Sequence, residues 1–119
     1  MSGNGFELIK DMSAIKCYYG DIPVTASASQ SAYEGYGISS ADEDLLMEDF
    51  VDQVNDLCGT FLDYGDIDYF DSAKCIKLKS WLESRLEQPC HLRLRELYVV
   101  LLGYAMRAIE LGTGVVVTI

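Results

Sequence analysis

Four aspartates within nine residues form the densest group of side chains in this chain that could do chemistry. They are Asp63, Asp66, Asp68 and Asp71, in the segment DYGDIDYFD. Carboxylate oxygens are the ligands that Ca²⁺ and Mg²⁺ prefer, so such a group could hold a hard cation. An EF-hand loop, however, needs Gly at its sixth position and Glu at its twelfth. Counted from Asp63, Gly65 is third and Lys74 is twelfth, so the segment lacks the EF-hand pattern.

The same segment contains a D-x-D pair, Asp66-Ile67-Asp68, which some phosphoryl- and glycosyl-transfer enzymes use to hold Mg²⁺ or to supply a nucleophile. A phosphate-binding loop would need a longer glycine-rich run than Gly3-Asn4-Gly5 or Gly112-Thr113-Gly114. So short a pair also occurs by chance in acidic loops. We therefore expect no metal site and no cofactor. A divalent-metal-dependent enzyme that uses the Asp63–Asp71 loop stays as an alternative function.

Cysteine and histidine offer a second possible chemistry. The cysteines are separated by 41, 17 and 15 residues, so no pair has the spacing of a zinc knuckle or redox pair; they are Cys17, Cys58, Cys75 and Cys90. His91 is the single histidine, and its neighbour Cys90 would point about 100° away on a helix. No third group that could orient a Cys–His pair is identifiable. We expect reduced thiols, a surface His91 at a helix start, and no catalytic residues.

The acidic segment belongs to a longer anionic stretch. Between Ser40 and Asp71 there are 11 acidic residues and no Lys or Arg. Four of the acids are spaced four apart, as on one helix face: Asp44, Glu48, Asp52 and Asp56. Like charges at that spacing destabilise a helix by roughly 0.2–0.5 kcal/mol per pair. An anionic face that costs folding energy and has no interleaved lysines indicates a binding surface rather than chemistry.

The overall charge narrows the class of partner. The chain has 19 acidic and nine basic residues and a net charge of −10, which attracts cationic partners. Nucleic acids need a basic footprint on the protein, so we expect no direct nucleic-acid binding. Residues 74–110 carry seven bases and four acids, so they would neutralise part of the acidic stretch internally. Seven bases cannot neutralise the 13 acids of residues 17–73, so a residual anionic face should survive.

Periodicity predicts three helices. Helix one begins with a capping box, Ser40 with Glu43, and has an apolar stripe of Leu46, Phe50, Val54, Leu57, Cys58 and Phe61. Helix two covers about residues 73–87 after a cap at Asp71 or Ser72. Helix three covers about residues 90–111 and is expected to be buried on most sides because it is apolar nearly all round. Residues 26–40 are predicted to be a long loop, and residues 63–71 a link.

Strand signals lie at the two ends. Phe6, Leu8 and Ile9 suggest a strand or a helical turn, and residues 14–19 and 22–25 could pair as a hairpin. The terminal VVVTI, residues 115–119, is apolar enough to need cover on both faces. The predicted fold is α+β: a single domain, residues 1–119, with three helices and a small sheet formed by N-terminal strands and the C-terminal strand.

The first residues, MSGNGFELIKD, have no basic segment followed by a long apolar run, as an export signal would. The longest apolar run, from Leu97 to Met106, has ten residues, which is too short to span a bilayer. The expected location is therefore the cytoplasm, without membrane association. The oligomeric state stays open.

Two tyrosines lie among the aspartates of the link, where a core role is less expected than for the tyrosines of helix three. Rings that supply contact area inside a rim of carboxylates suit the recognition of Lys and Arg on a partner protein. The predicted partner-binding residues are Glu48, Asp52, Asp56, Asp63, Tyr64, Asp66, Asp68 and Tyr69. Asp66 or Asp68, together with Tyr69, is predicted to carry most of the affinity.

A small acidic chain with LDYGDIDYFD after an acidic helix resembles the immunity proteins of bacterial toxin–immunity systems, of the contact-dependent growth inhibition or colicin type. The resemblance covers about a quarter of the chain. It implies a protein that binds a basic toxin domain, often a nuclease, and covers or obstructs its active site. A non-inhibitory acidic binding or scaffold subunit would use the same face.

Overall fold

A four-stranded antiparallel sheet forms one layer of the molecule. The computed structural model describes residues 4–119, and across these residues the strands are β1 (Gly5–Ile9), β2 (Tyr18–Tyr19), β3 (Ile22–Pro23), β4 (Tyr33–Gly37), β5 (Ile67–Phe70) and β6 (Val115–Thr118). The main sheet has the order β4-β1-β6-β5, and β2 and β3 pair separately as a hairpin. The predicted pairing of N-terminal and C-terminal strands is therefore confirmed for β1 and β6, which lie side by side, whereas β2 and β3 lie outside the main sheet.

Within the described residues, four α-helices pack on the inner side of this sheet, and the last two of them make the main contacts with its strands. The four helices are α1 (Ser40–Asp49), α2 (Val51–Cys58), α3 (Ser72–Leu86) and α4 (Leu92–Leu111). Inner-face strand residues such as Phe6 and Val117 share one hydrophobic core with helix residues such as Phe50 and Leu101. Phe50, Trp81 and Tyr98 pack as an aromatic cluster in this core, with ring centroids 5.4 to 6.0 Å apart. The α+β class is thus confirmed.

The predicted single first helix is in fact two helices that meet at Phe50. The bond from the Phe50 N–H to Leu46 O continues the helical pattern, but Phe50 has φ −105° and α2 begins after it. Phe50 and its neighbour Val51 are both buried. Adjacent residues on a straight helix point about 100° apart, so burying both favours a change of direction. The capping box also lies one residue earlier than predicted, with Ser39 and Asp42 exchanging hydrogen bonds.

Two members of the predicted apolar stripe are exposed, Leu57 at 41 % and Phe61 at 83 %. Helix α2 buries Val51, Val54 and Cys58, which places Leu57 roughly a quarter of a turn off the buried face. Gly59 adopts φ +69° and ends the helix, so helical spacing no longer applies at Phe61.

The later helices agree better with the sequence. Asp71 caps α3 through Lys74 N, and Gly112 ends α4 in the left-handed conformation. His91 is the exposed cap residue of α4, so this helix begins at Leu92, slightly later than the predicted start at about residue 90. Helix α4 is less enclosed than predicted, because one side exposes Leu92, Val99 and Met106. No helix within residues 4–119 combines the length and the apolar character needed to cross a membrane.

The outer face of the sheet carries a second, smaller core. Ile9, Ile15 and Val116 are buried there, beneath the segment that contains the β2–β3 hairpin. Two predicted irregular segments contribute strands to the sheet: the 26–40 loop contains β4, and the 63–71 link contains β5. Local alternation is weak in YEGYG and IDYF, so their strand structure comes from pairing with β1 and β6. All four cysteines are free thiols.

Candidate partner-binding surface

The predicted acidic stripe has exposed members on both sides of the bend between α1 and α2. Asp44, Glu48, Asp52 and Asp56 are all exposed. The five ion pairs formed among residues 4–119 involve none of these four side chains. The stripe therefore presents negative charge to solvent without a cationic partner in the described part of the chain.

Internal neutralisation does occur, but at Asp42 and Asp49. The Arg93 guanidinium donates to both carboxylate oxygens of Asp42 at 2.9 and 3.0 Å, and Arg85 does the same to Asp49. Tyr98 also donates its hydroxyl to Asp49 at 2.6 Å. These pairs connect α1 to α3 and α4. The bases of residues 74–110 thus stabilise the packing of α1 and leave the stripe anionic.

The pKa values of these two carboxyls follow from their partners. The hydrogen bond from Arg93 lowers the pKa of Asp42 to about 2, against an opposing effect of burial. For Asp49 burial raises the pKa, but the hydrogen bonds from Arg85 and Tyr98 outweigh it and lower the pKa overall. Both groups are therefore structural carboxylates, charged throughout the neutral range.

Tyr64 joins the turn after α2 to the stripe. Its hydroxyl donates to Asp44 Oδ1 at 2.6 Å while the ring stays 54 % exposed. This hydrogen bond, with smaller effects of burial and of nearby carboxylates including Glu48, raises the pKa of Tyr64 to about 12. The structure therefore brings Tyr64 beside Glu48, as one surface.

Asp63 and Asp66 flank a tight turn that is fixed to the end of β6. Asp66 N donates to Asp63 O at 3.0 Å, and Gly65 N donates to Ile119 O at 2.8 Å. Gly65 has φ +78°, a conformation that favours glycine. The carboxylates of Asp63 and Asp66 are exposed on this turn. The turn places them next to Tyr64, so they extend the anionic surface.

Asp68 and Tyr69 are adjacent on the edge strand β5 and point to opposite faces of it. The Asp68 carboxylate accepts hydrogen bonds from Phe61 N and Tyr69 N, both at 2.8 Å. Tyr69 packs against the small outer core and donates its hydroxyl to Met12 sulfur at 3.6 Å. Burial raises the pKa of Tyr69 to about 12. Its ring is thus largely used within the fold.

Phe61 is the surface residue that periodicity missed. It borders a cleft of about 390 Å³ at the β5 edge, which also contacts Asp68, Tyr69 and Asp71. An aromatic ring that is 83 % exposed, in a cleft lined by three aspartates and one lysine, has the composition of an interface anchor. Gly59 was the sequence signal for the end of this helix, because a glycine near the end of a helical pattern indicates where helical spacing stops. In the structure Gly59 is left-handed and ends α2.

Within residues 4–119, no three His, Cys, Asp or Glu side chains stand close enough together to share a metal ion. Asp68 of the D-x-D pair already accepts two backbone hydrogen bonds, so its oxygens are engaged locally.

Comparison with family models, with curated proteins and with solved structures finds no match to this chain. A functional proposal for this chain therefore rests on the properties of its own surface.

Proposed function

We propose that this protein is an immunity-type inhibitor that binds a basic toxin domain, such as a nuclease, through its acidic face. The observation that carries the proposal is the unpaired stripe on α1 and α2, continued by the Tyr64 turn. All ion pairs within residues 4–119 are formed by acidic residues that lie outside this stripe and this turn. Retaining repulsive charge on an exposed face is explained if a cationic surface covers it.

Exposed carboxylates at the rim of an interface act mainly on the rate of association, and salt screens them. Glu48, Asp52 and Asp56 belong to this class. A central aromatic residue contributes differently, because its burial slows dissociation. Phe61 and Tyr64 offer such rings beside the carboxylates. The surface therefore combines steering charge with apolar anchors.

The direct test is co-purification of the tagged full chain with the product of the neighbouring gene, followed by a nuclease assay of that product. Binding with loss of nuclease activity would support the proposal. Binding with full activity would instead indicate a non-inhibitory scaffold subunit, and the absence of binding to a cationic neighbour would contradict both.

Charge variants then test the face itself. The triple change Glu48→Gln, Asp52→Asn and Asp56→Asn should lower the association rate at low salt by about tenfold or more. A matched triple change, Glu83→Gln, Glu87→Gln and Glu110→Gln, removes the same charge from exposed positions on and just after α3 and on α4. If the two triple variants associate at equal rates, net charge alone acts, and the acidic face is not the contact surface.

A further inference from the structure

A cleft opens on the outer face of the sheet, away from the acidic stripe. It lies between the β2–β3 hairpin, the turn Thr25–Ser27 and the strands, and its volume is about 600 Å³. Small-molecule sites in proteins typically have volumes of about 300–1,000 Å³. The cleft is therefore large enough for a small organic ligand.

One carboxylate lies in this cleft. Glu7 is on β1, and strand alternation places it on the outer face with Gly5 and Ile9. Its Oε2 accepts a hydrogen bond of 2.8 Å from the hydroxyl of the buried Thr25. This bond fixes the carboxylate and leaves Oε1 without a hydrogen bond from any residue of the described chain. The described residues that border the cleft include no Lys or Arg, so the charge of Glu7 is unneutralised there.

The walls combine aliphatic and aromatic side chains with two threonines, Thr25 and Thr118. Aliphatic side chains on one side come from the hairpin and β5, and rings come from Tyr19 and Tyr33. Opposite Glu7 in the sheet is Gly35, and opposite Gly5 is Gly37, so these two positions of β4 place no side chain beside the carboxylate. A second cleft of about 180 Å³ meets the first at Glu7 and Thr118. Glu7 thus has open space beside its carboxylate and aliphatic and aromatic side chains nearby.

We propose that this cleft binds an alkylammonium or alkylguanidinium group, with Glu7 as the counterion. A charged hydrogen bond to a carboxylate is stronger than a neutral one, and rings favour a cation beside their faces. The aliphatic walls would contact the alkyl part of the ligand. This site uses none of the acidic residues of the α1–α2 stripe and does not depend on the function proposed for the acidic face.

The test is an amide-NMR titration of the full chain with agmatine and with butylamine, and with 1-butanol as the neutral probe. We expect saturable shifts in β1, β3 and β4 with both cations and none with 1-butanol. Glu7→Gln should weaken cation binding by about tenfold or more, because a charged hydrogen bond is lost. The matched control Glu110→Gln removes the same charge from α4 and should bind like the parent chain.

A second variant keeps Glu7 and blocks the space. A Cβ on Gly35 would meet Glu7 Cγ at 3.9 Å, an ordinary contact, and this glycine does not adopt positive φ. Gly35→Leu should therefore fold and abolish binding of both cations. Competition by the peptide acetyl-Gly-Arg-Gly-amide would identify a protein side chain as the source of the cation, and binding of agmatine without such competition would identify a free amine. Equal affinity in Glu7→Gln, or shifts confined to α1 and α2, would overturn the proposal.

Discussion

Arg93 holds Asp42 through two parallel hydrogen bonds, from Nε to Oδ1 at 2.9 Å and from Nη2 to Oδ2 at 3.0 Å. The same guanidinium donates to the Tyr36 hydroxyl at 3.1 Å. One side chain near the start of α4 thus connects the first turn of α1 and the edge strand β4. Asp42 is only 4 % exposed, so its carboxylate depends on this partner for compensation.

Arg93→Met should lower the free energy of unfolding by about 2 kcal/mol, because it leaves the Asp42 carboxylate buried without its charged partner. Urea denaturation at neutral pH measures the change. The matched control is Arg107→Met, which breaks an exposed pair with Glu34 and should cost at most about 1 kcal/mol. Equal effects of the two substitutions would show that the Arg93–Asp42 pair stabilises the fold no more than an exposed ion pair does.

Stability should fall as the pH is lowered from about 4 to about 2. The pKa of Asp42 is about 2 in the folded protein, against an ordinary value of 3.8, so the unfolded chain binds its proton first. The stabilisation is therefore complete above the ordinary pKa and is lost as the pH falls through the folded pKa. Urea midpoints measured from pH 2 to 6 test this, and Asp42→Asn should flatten part of the slope. An unchanged slope in that variant would assign the acid sensitivity to other groups.

The sequence predicted the parts of the fold that depend on local pattern. Asp71, one of the two residues expected to cap helix two, is the observed cap of α3, and Val116 was correctly expected to be buried in a sheet. The break at Phe50 was not predictable from periodicity, because it follows from tertiary burial of Phe50 and Val51 together. Strand β5 was missed for a related reason, since its pairing with β6 joins segments far apart in the chain.

For the candidate surface, the sequence predicted the exposed acidic residues better than it predicted the ion pairs and the position of Phe61. Exposure of Glu48 and Asp52 follows from their position opposite the apolar stripe. The sequence did not indicate which acids form ion pairs. Asp42 and Asp49 contact Arg93 and Arg85 only when α1 packs against α3 and α4. Phe61 was assigned to the core because helical spacing was extended through Gly59.

Phe61→Ala should change the free energy of unfolding by less than about 0.5 kcal/mol, since the ring is 83 % exposed. Phe50→Ala, in the aromatic core cluster, should cost about 3–5 kcal/mol and serves as the matched comparison. Denaturant melts of both variants measure the difference. A large loss of stability in Phe61→Ala would mean that this ring has a structural role and is not free to contact a partner.

Tyr64 should ionise at about pH 12, because its neutral hydroxyl donates to the Asp44 carboxylate. Asp44→Asn replaces the carboxylate with an uncharged acceptor and should lower the pKa of Tyr64 toward its ordinary value of 10.0. Resonances of ring-labelled tyrosine, assigned with Tyr64→Phe, report the titration. If the pKa of Tyr64 is the same with and without the Asp44 charge, the turn does not rest against the stripe in solution.

Asp66 and Asp68 should behave differently, although the sequence grouped them as one binding pair. The Asp66 carboxylate is exposed, so Asp66→Asn should leave the melting temperature nearly unchanged. Asp68 accepts hydrogen bonds from both Phe61 N and Tyr69 N, and an Asn amide has only one oxygen acceptor. Asp68→Asn should therefore destabilise the protein by about 1 kcal/mol and loosen the loop that presents Phe61. Calorimetry with the partner then separates two explanations. A loss of affinity in Asp66→Asn would indicate recognition of charge at this turn. A loss of affinity seen only in Asp68→Asn would indicate that the order of the loop, rather than charge at the turn, determines binding.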